Sequence, residues 1–311
     1  MSDAAEQKAG EGTAAEWVEE AAHRRDHKQD PGRSWLEYPA TYLLLAVNIL
    51  VFLVMVSYGP VPALLRHHAF GSVLTAPFDY ATIVNFGGSS PIMVLRGGMT
   101  FGIEGQWWRL LSAAFVHVTV LHLLINMWCL WNLGLFGEPL LGKPGLCAVY
   151  VLTGVAGNLL SLTWNLSHGQ PDALVAGASG AVFGIAGILI VLLSNRGLVK
   201  DDLTWAEVRS LRQQVVLFAV VNLLFGILPN FLPALGAGAL RSLHVDPHSF
   251  PRVDNTAHLG GFLSGLVLGL PLFSRMVKGK RVYRARQRVT FATAALVLCL
   301  WGYAVASFAR K

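Results

Sequence analysis

Charge is scarce in this chain: 14% of its 311 residues are Asp, Glu, Lys or Arg, against 54% hydrophobic residues and a mean hydropathy of +0.51. An ordinary soluble domain carries close to twice that share of charge, so the composition excludes water as the main solvent and implies a bilayer. Cysteine is scarce too. Cys129, Cys147 and Cys299 each lie inside an apolar run, which leaves neither a disulfide framework nor a paired-thiolate zinc pattern to read. No acidic residue falls at mid-membrane depth and no internal repeat is visible, which argues against an ion-coupled transporter. The net charge of +6 does not signal nucleic acid, because Lys and Arg cluster between hydrophobic segments, where they set topology.

What is present is a series of long apolar runs. After a polar stretch at 1–38, read as a disordered cytosolic tail and not a signal peptide, runs of spanning length occur at 40–57, 113–136, 144–164, 176–194, 213–229, 258–275 and 289–308. The expected fold class is all-α: a polytopic helical bundle of seven spans. Seven basic residues between 275 and 288 place the turn after the sixth span in the cytoplasm, and alternation puts the N-terminus there as well. Two long outer connections, 58–112 and 230–257, mix apolar residues with turn residues and are expected to dip into the membrane surface. The expected division is a tail at 1–38, a six-helix core at 39–275, a basic cytosolic loop at 276–288 and an added helix at 289–311.

The second, fourth and sixth spans all run inward in this topology, and each carries unusual polar residues near its outer end. These are His117, His122 and Asn126 on the second, Ser179 within Gly177-Ala178-Ser179-Gly180 on the fourth, and His258 within Ala257-His258-Leu259-Gly260-Gly261 on the sixth. Such groups are costly in a membrane unless they pair or face a wet cavity. Serine cleavage of an acyl bond needs a nucleophile, a base within hydrogen-bond reach and donors aimed at the developing oxyanion. Ser179 at a helix start supplies the first, with its own amide as a donor; His258 supplies the second; His122 and Asn126, one turn apart, supply further donors. Packing readings stand beside these. Ser179 also suits a Gly-rich helix contact, and His122 with Asn126 also suits interhelical hydrogen bonding. His117, His122 and His258 would be a metal set, but no His-Glu-x-x-His helix and no intramembrane carboxylate accompanies them, so no metal and no cofactor is expected. Asp254, four residues before His258, reads as a solvated loop carboxylate, which leaves a dyad. Gly261 and Gly265 form a small-residue face that would seat the sixth span on the fourth, where Gly180 and Gly184 repeat the spacing. Phe183, one turn below Ser179, is placed to stack on His258.

These residues resemble the rhomboid family of intramembrane serine proteases. Gly105-Gln106-Trp107-Trp108-Arg109-Leu110 resembles its first-loop motif, His117 to Asn126 its second-helix motif, Gly177 to Gly184 its nucleophile motif, and Ala257 to Gly265 its base motif. The resemblance covers about 40–275 and implies a six-helix core with a further C-terminal helix. It also implies Ser179 as nucleophile and His258 as base, with an oxyanion hole of His122, Asn126 and the Ser179 amide, and structural roles for His117, Trp108 and Arg109. Phe183 stands where the family commonly has Tyr. The substrates implied are transmembrane proteins, cut in or near a spanning segment that arrives laterally through the lipid, with the 230–257 connection as a lid. The alternative is an inactive rhomboid-like protein that binds membrane clients. The leader-free start points to a bacterial inner membrane.

Overall fold

The computed structural model describes residues 34–58, 74–96, 105–198, 204–242, 254–274 and 279–309, with backbone only over 225–242. Among the described residues the regular structure is helical, joined by turns and irregular segments, with one isolated bridge between Ser89 and Val175. The long helices are α1 (Pro39–Tyr58), α2 (Val120–Leu141), α3 (Lys143–Ser167), α4 (Ser179–Leu192), α5 (Trp205–Ser242), α6 (Asn255–Phe273) and α7 (Lys280–Ala309). Five of them, α1, α2, α3, α6 and α7, are long and apolar enough to cross a membrane, which with the buried polar side chains described below makes this a helical membrane bundle.

Large apolar side chains point outward all round it, including Leu50 and Leu53 on α1, Leu217 on α5, Val267 and Leu270 on α6, and Leu300 on α7. The interior is mostly apolar but also takes in polar side chains, among them Asn48, Asn126, Glu138 and Asn158. This distribution suits lipid, where an outward leucine costs nothing and an unpaired amide costs several kcal/mol, on the order of the penalty for burial in hydrocarbon.

Those polar groups tie the helices together. Glu138, near the end of α2, accepts from Ala40 N at 3.0 Å, Thr41 N at 2.8 Å and Thr41 Oγ1 at 2.7 Å, so one carboxylate satisfies the free N–H groups that begin α1. Tyr150 on α3 donates to the Ala114 carbonyl at 2.8 Å and receives Asn48 Nδ2 of α1 at 3.0 Å. A Gly142 turn with φ +73°, followed by Pro144 in the first turn of α3, reverses the chain between α2 and α3.

α4 lies at the centre: Gly180 through Leu189 are all buried. Its 14 residues span about 21 Å at 1.5 Å per residue, short of the roughly 30 Å hydrocarbon thickness.

Several boundaries differ from expectation. The second span does not begin at 113: Ala113–Phe115 is a short 3-10 turn, Val116 is extended, and α2 starts only after Thr119, whose hydroxyl accepts from His122 N at 3.0 Å. The fourth span begins at Ser179, not at 176. α5 continues past 229 to Ser242, because proline within a membrane helix is tolerated where neighbours satisfy the freed groups. The basic residues from Lys280 to Arg288 lie on the opening turns of α7 instead of a loop, their long straight side chains being good helix formers. The tail at 1–33 and the 243–253 part of the outer connection lie outside the described residues.

Candidate active site

Two interlocked helices build the site. A Cβ added to Gly261 would sit 1.9 Å from the Gly180 carbonyl oxygen, and one added to Gly265 would sit 2.0 Å from that of Gly184. Hydrogen at these positions is what lets α6 and α4 touch backbone to backbone. On α4, Gly187 faces the Phe262 carbonyl in the same way, and Gly157 of α3 faces the Ala257 carbonyl at 2.5 Å. α6 is thereby clasped between α3 and α4.

That clasp brings Ser179 and His258 together. His258 Nε2 lies 2.7 Å from Ser179 Oγ, and the ring is stacked on Phe183 with centroids 4.6 Å apart and planes 23° apart. His258 is buried, and its Nδ1 has no hydrogen-bond partner among the described residues. For the serine hydroxyl to donate to Nε2, the ring must be neutral with its proton on Nδ1.

Ser179 opens α4 from a distinctive turn. Gly177 has φ +132°, a conformation L side chains avoid, and a Cβ there would meet His122 Cε1 at 2.7 Å and Nε2 at 2.9 Å. Only glycine lets the His122 ring lie this close to the serine turn. No side chain caps α4, which leaves the first N–H groups, Ser179 among them, open toward a ligand. His122 lies edge-on to His117, centroids 5.2 Å apart. Asn126 is buried and donates through Nδ2 to the His122 carbonyl at 2.9 Å, so one of its amide hydrogens is held on its own helix.

His117 is not on α2. It lies in the extended segment before it, fully buried, with Nε2 accepting from Ala178 N at 3.5 Å, so it braces the residue preceding Ser179. The first connection supports the same turn from outside: Ser89 and Val175 exchange backbone bonds of 2.9 and 2.7 Å. Arg109 holds that connection in shape. Its guanidinium is buried, donating to Val84 O at 2.6 Å, Gly88 O at 2.8 Å and Gln106 Oε1 at 2.5 Å, with Cζ 4.5 Å from the Trp108 ring centroid. Lysine cannot reproduce this fork. Arg109→Lys is expected to lower stability by about 2–4 kcal/mol, through two stranded carbonyls and lost stacking, seen as a fall in thermal midpoint in detergent.

Asp254 departs from its sequence reading. It is not a solvated loop carboxylate but the N-cap of α6, accepting from Thr256 N and Ala257 N, both at 3.0 Å, and from the Ser161 hydroxyl of α3. Sequence reasoning passed over Ser161, Asn158 and Asn165 entirely. Their spacing along one face of an otherwise apolar span was the available signal.

A partly exposed Ser179 and a buried His258 stand in hydrogen-bond contact at the starts of two helices packed through glycine, the pair a serine hydrolase would use, inside a polytopic membrane protein. The chain belongs to the rhomboid family: residues 104–275, more than half of it, match the Rhomboid domain. It is similar to RHOMBOID-like protein 5 of Arabidopsis thaliana, 30% identical over 239 residues, covering 75% of this chain and 67% of that protein. It is also similar to Rhomboid protease GluP of Bacillus subtilis (strain 168), 28% identical over 250 residues, covering 79% of this chain but only 37% of the relative. RHOMBOID-like protein 7 of Arabidopsis thaliana is 28% identical over 269 residues, covering 84% and 75% respectively. Intramembrane proteolysis is the general activity of the family, its proteases acting on membrane proteins within the bilayer. The chain is an integral, multi-pass membrane protein. A bacterial inner membrane finds no support in these relatives, which come from a plant as well as a bacterium.

Proposed function

We propose that this protein is an intramembrane serine endopeptidase working through a Ser179–His258 dyad. The observation that carries the reading is the 2.7 Å contact between Ser179 Oγ and His258 Nε2. Ser179 Oγ attacks the scissile carbonyl carbon as its proton passes to Nε2. The carbonyl oxygen becomes an oxyanion beside the Ser179 N–H and the His122 and Asn126 side chains, whose donors stabilise it. Collapse breaks the C–N bond, the leaving amine takes the proton from His258, and water then hydrolyses the acyl ester with His258 again as base. Phe183 fixes the ring plane by stacking, for which no hydroxyl is needed.

The substrate class is a transmembrane segment that opens its backbone near the start of α4; the family resemblance further implies a cut beside a small residue. Seven spans, with the N-terminus and the basic start of α7 in the cytoplasm, complete the proposed topology. The lid proposed at 230–257 falls largely outside the residues whose side chains are described. A client-binding protein without activity is the competing reading; the reactive pair at hydrogen-bond distance favours the enzyme.

Cleavage of a generic transmembrane substrate by the purified protein is the test. Product masses should place the cut in or beside the spanning segment, and a strong chelator should leave the rate within about twofold of the untreated enzyme, because no metal-bound water takes part. Loss of cleavage on chelation, restored by added metal, would replace the dyad with a metal mechanism.

A further inference from the structure

Backbone contacts between glycines set how near α6 lies to α4, and polar bonds at its two ends tie α6 along its axis. At the far end of α6, remote from His258, Asn195 Nδ2 donates to the Phe273 carbonyl at 2.6 Å and anchors only that end. At the near end the tie is Asp254: its Oδ2 takes the hydrogen of Ser161 Oγ, Ser161 in turn accepts Asn165 Nδ2 at 3.0 Å, and the Asp254 carbonyl accepts His258 N at 3.2 Å. A continuous line of bonds thus runs from α3, through Asp254, to the backbone of the base. Ser161 is wholly buried, so its hydroxyl has no water to turn to.

We propose that Ser161 and Asp254 are positioning residues that hold His258 Nε2 at the depth of Ser179, an inference that rests on the dyad reading. Asp254 acts through the α6 backbone and not as a third member of the relay. Its two carboxylate oxygens are engaged by Thr256 N, Ala257 N and Ser161 Oγ, and His258 Nδ1 has no partner among the described residues.

Steady-state cleavage of a transmembrane substrate, with thermal midpoints measured alongside, tests this. Ser161→Ala removes the tie from α3 to Asp254 together with the Asn165 bond inside α3. Asp254→Ser keeps a capping oxygen for α6 but is too short to reach Ser161, and it leaves no void in the bundle core. Each is expected to lower kcat about tenfold with KM within about twofold, as a small misplacement of the base requires. The double variant should be no worse than either single one, since both break the same bond. Asp254→Asn, which offers an oxygen to α6 and an N–H to Ser161, should restore kcat to about the wild-type value. Asn195→Ala, cutting the far tie, should lower the thermal midpoint yet keep kcat.

Wild-type kcat in both Ser161→Ala and Asp254→Ser would overturn the proposal. So would a loss of kcat that follows the thermal midpoint through the whole set, Asn195→Ala included, or an Asp254→Asn variant as slow as Asp254→Ser, which would give the carboxylate a charged catalytic role. Failure of the underlying dyad is separable: it appears as cleavage by Ser179→Ala or His258→Ala, whatever Ser161→Ala does.

Discussion

His258→Ala is expected to lower kcat/KM for a transmembrane substrate by at least about a thousandfold, and Ser179→Ala by at least as much, with the double variant no worse than the singles. The reason is chemical. Serine hydroxyl is a poor nucleophile at neutral pH, and among the described residues the base in contact with it is the imidazole 2.7 Å away. Removing either partner leaves the open N–H groups of α4 and the binding surface, which stabilise an oxyanion that can no longer form at a useful rate. The bundle should persist, because the glycine contacts between α4 and α6 do not involve the Ser179 or His258 side chain. Thermal midpoints within a few degrees of wild type would separate lost chemistry from lost structure. Cleavage within about tenfold of wild type in either variant would contradict the dyad.

The second large effect is structural. Gly261→Ala would place its Cβ 1.9 Å from the Gly180 carbonyl oxygen and 2.7 Å from the carbonyl carbon. Neither atom belongs to a flexible side chain, and α4 is enclosed on all sides, so the helices must separate. Separation costs about 1–3 kcal/mol in lost packing and also withdraws His258 from Ser179. Activity should therefore fall far more than stability. Gly137→Ala makes the contrast: its nearest neighbour would be Leu146 Cδ1 at 3.4 Å, an ordinary contact, and it should change stability by less than about 1 kcal/mol. Equal damage from the two substitutions would mean that the α4–α6 contact has no special part in the site.

Much of this site can be read in the sequence, because each short motif names a residue type that a membrane tolerates only for a reason. Gly261 and Gly265, Gly180 and Gly184, and the position of Phe183 follow from helical spacing alone. What spacing cannot convey is where a helix begins inside an apolar run. Hydropathy treats Val116-His117-Val118 as part of a span, whereas Thr119 caps α2 and leaves His117 outside it. The cap was legible; the extended segment before it was not.

Partners far apart in sequence are equally hidden. Ser161 and Asp254 are 93 residues apart, as Thr41 and Glu138 are 97 apart, and nothing local joins either pair. Asp254 therefore reads as a loop charge beside Arg252, although its spacing before Thr256 and Ala257 also fits a helix cap. The end of α5 was missed for the converse reason. Pro229 and Pro233 are strong breakers in water but weak ones in a bundle, so the helix runs on to Ser242.

The central claim is that His258 activates Ser179, and a covalent probe tests it without reference to any natural substrate. The purified protein is treated with a serine-directed fluorophosphonate, and the adduct is located by mass spectrometry of its peptides. One adduct on Ser179 is predicted, formed at a rate that collapses in His258→Ala and is unaffected by chelator. An adduct on another serine, or labelling of Ser179 at full rate in His258→Ala, would contradict the account.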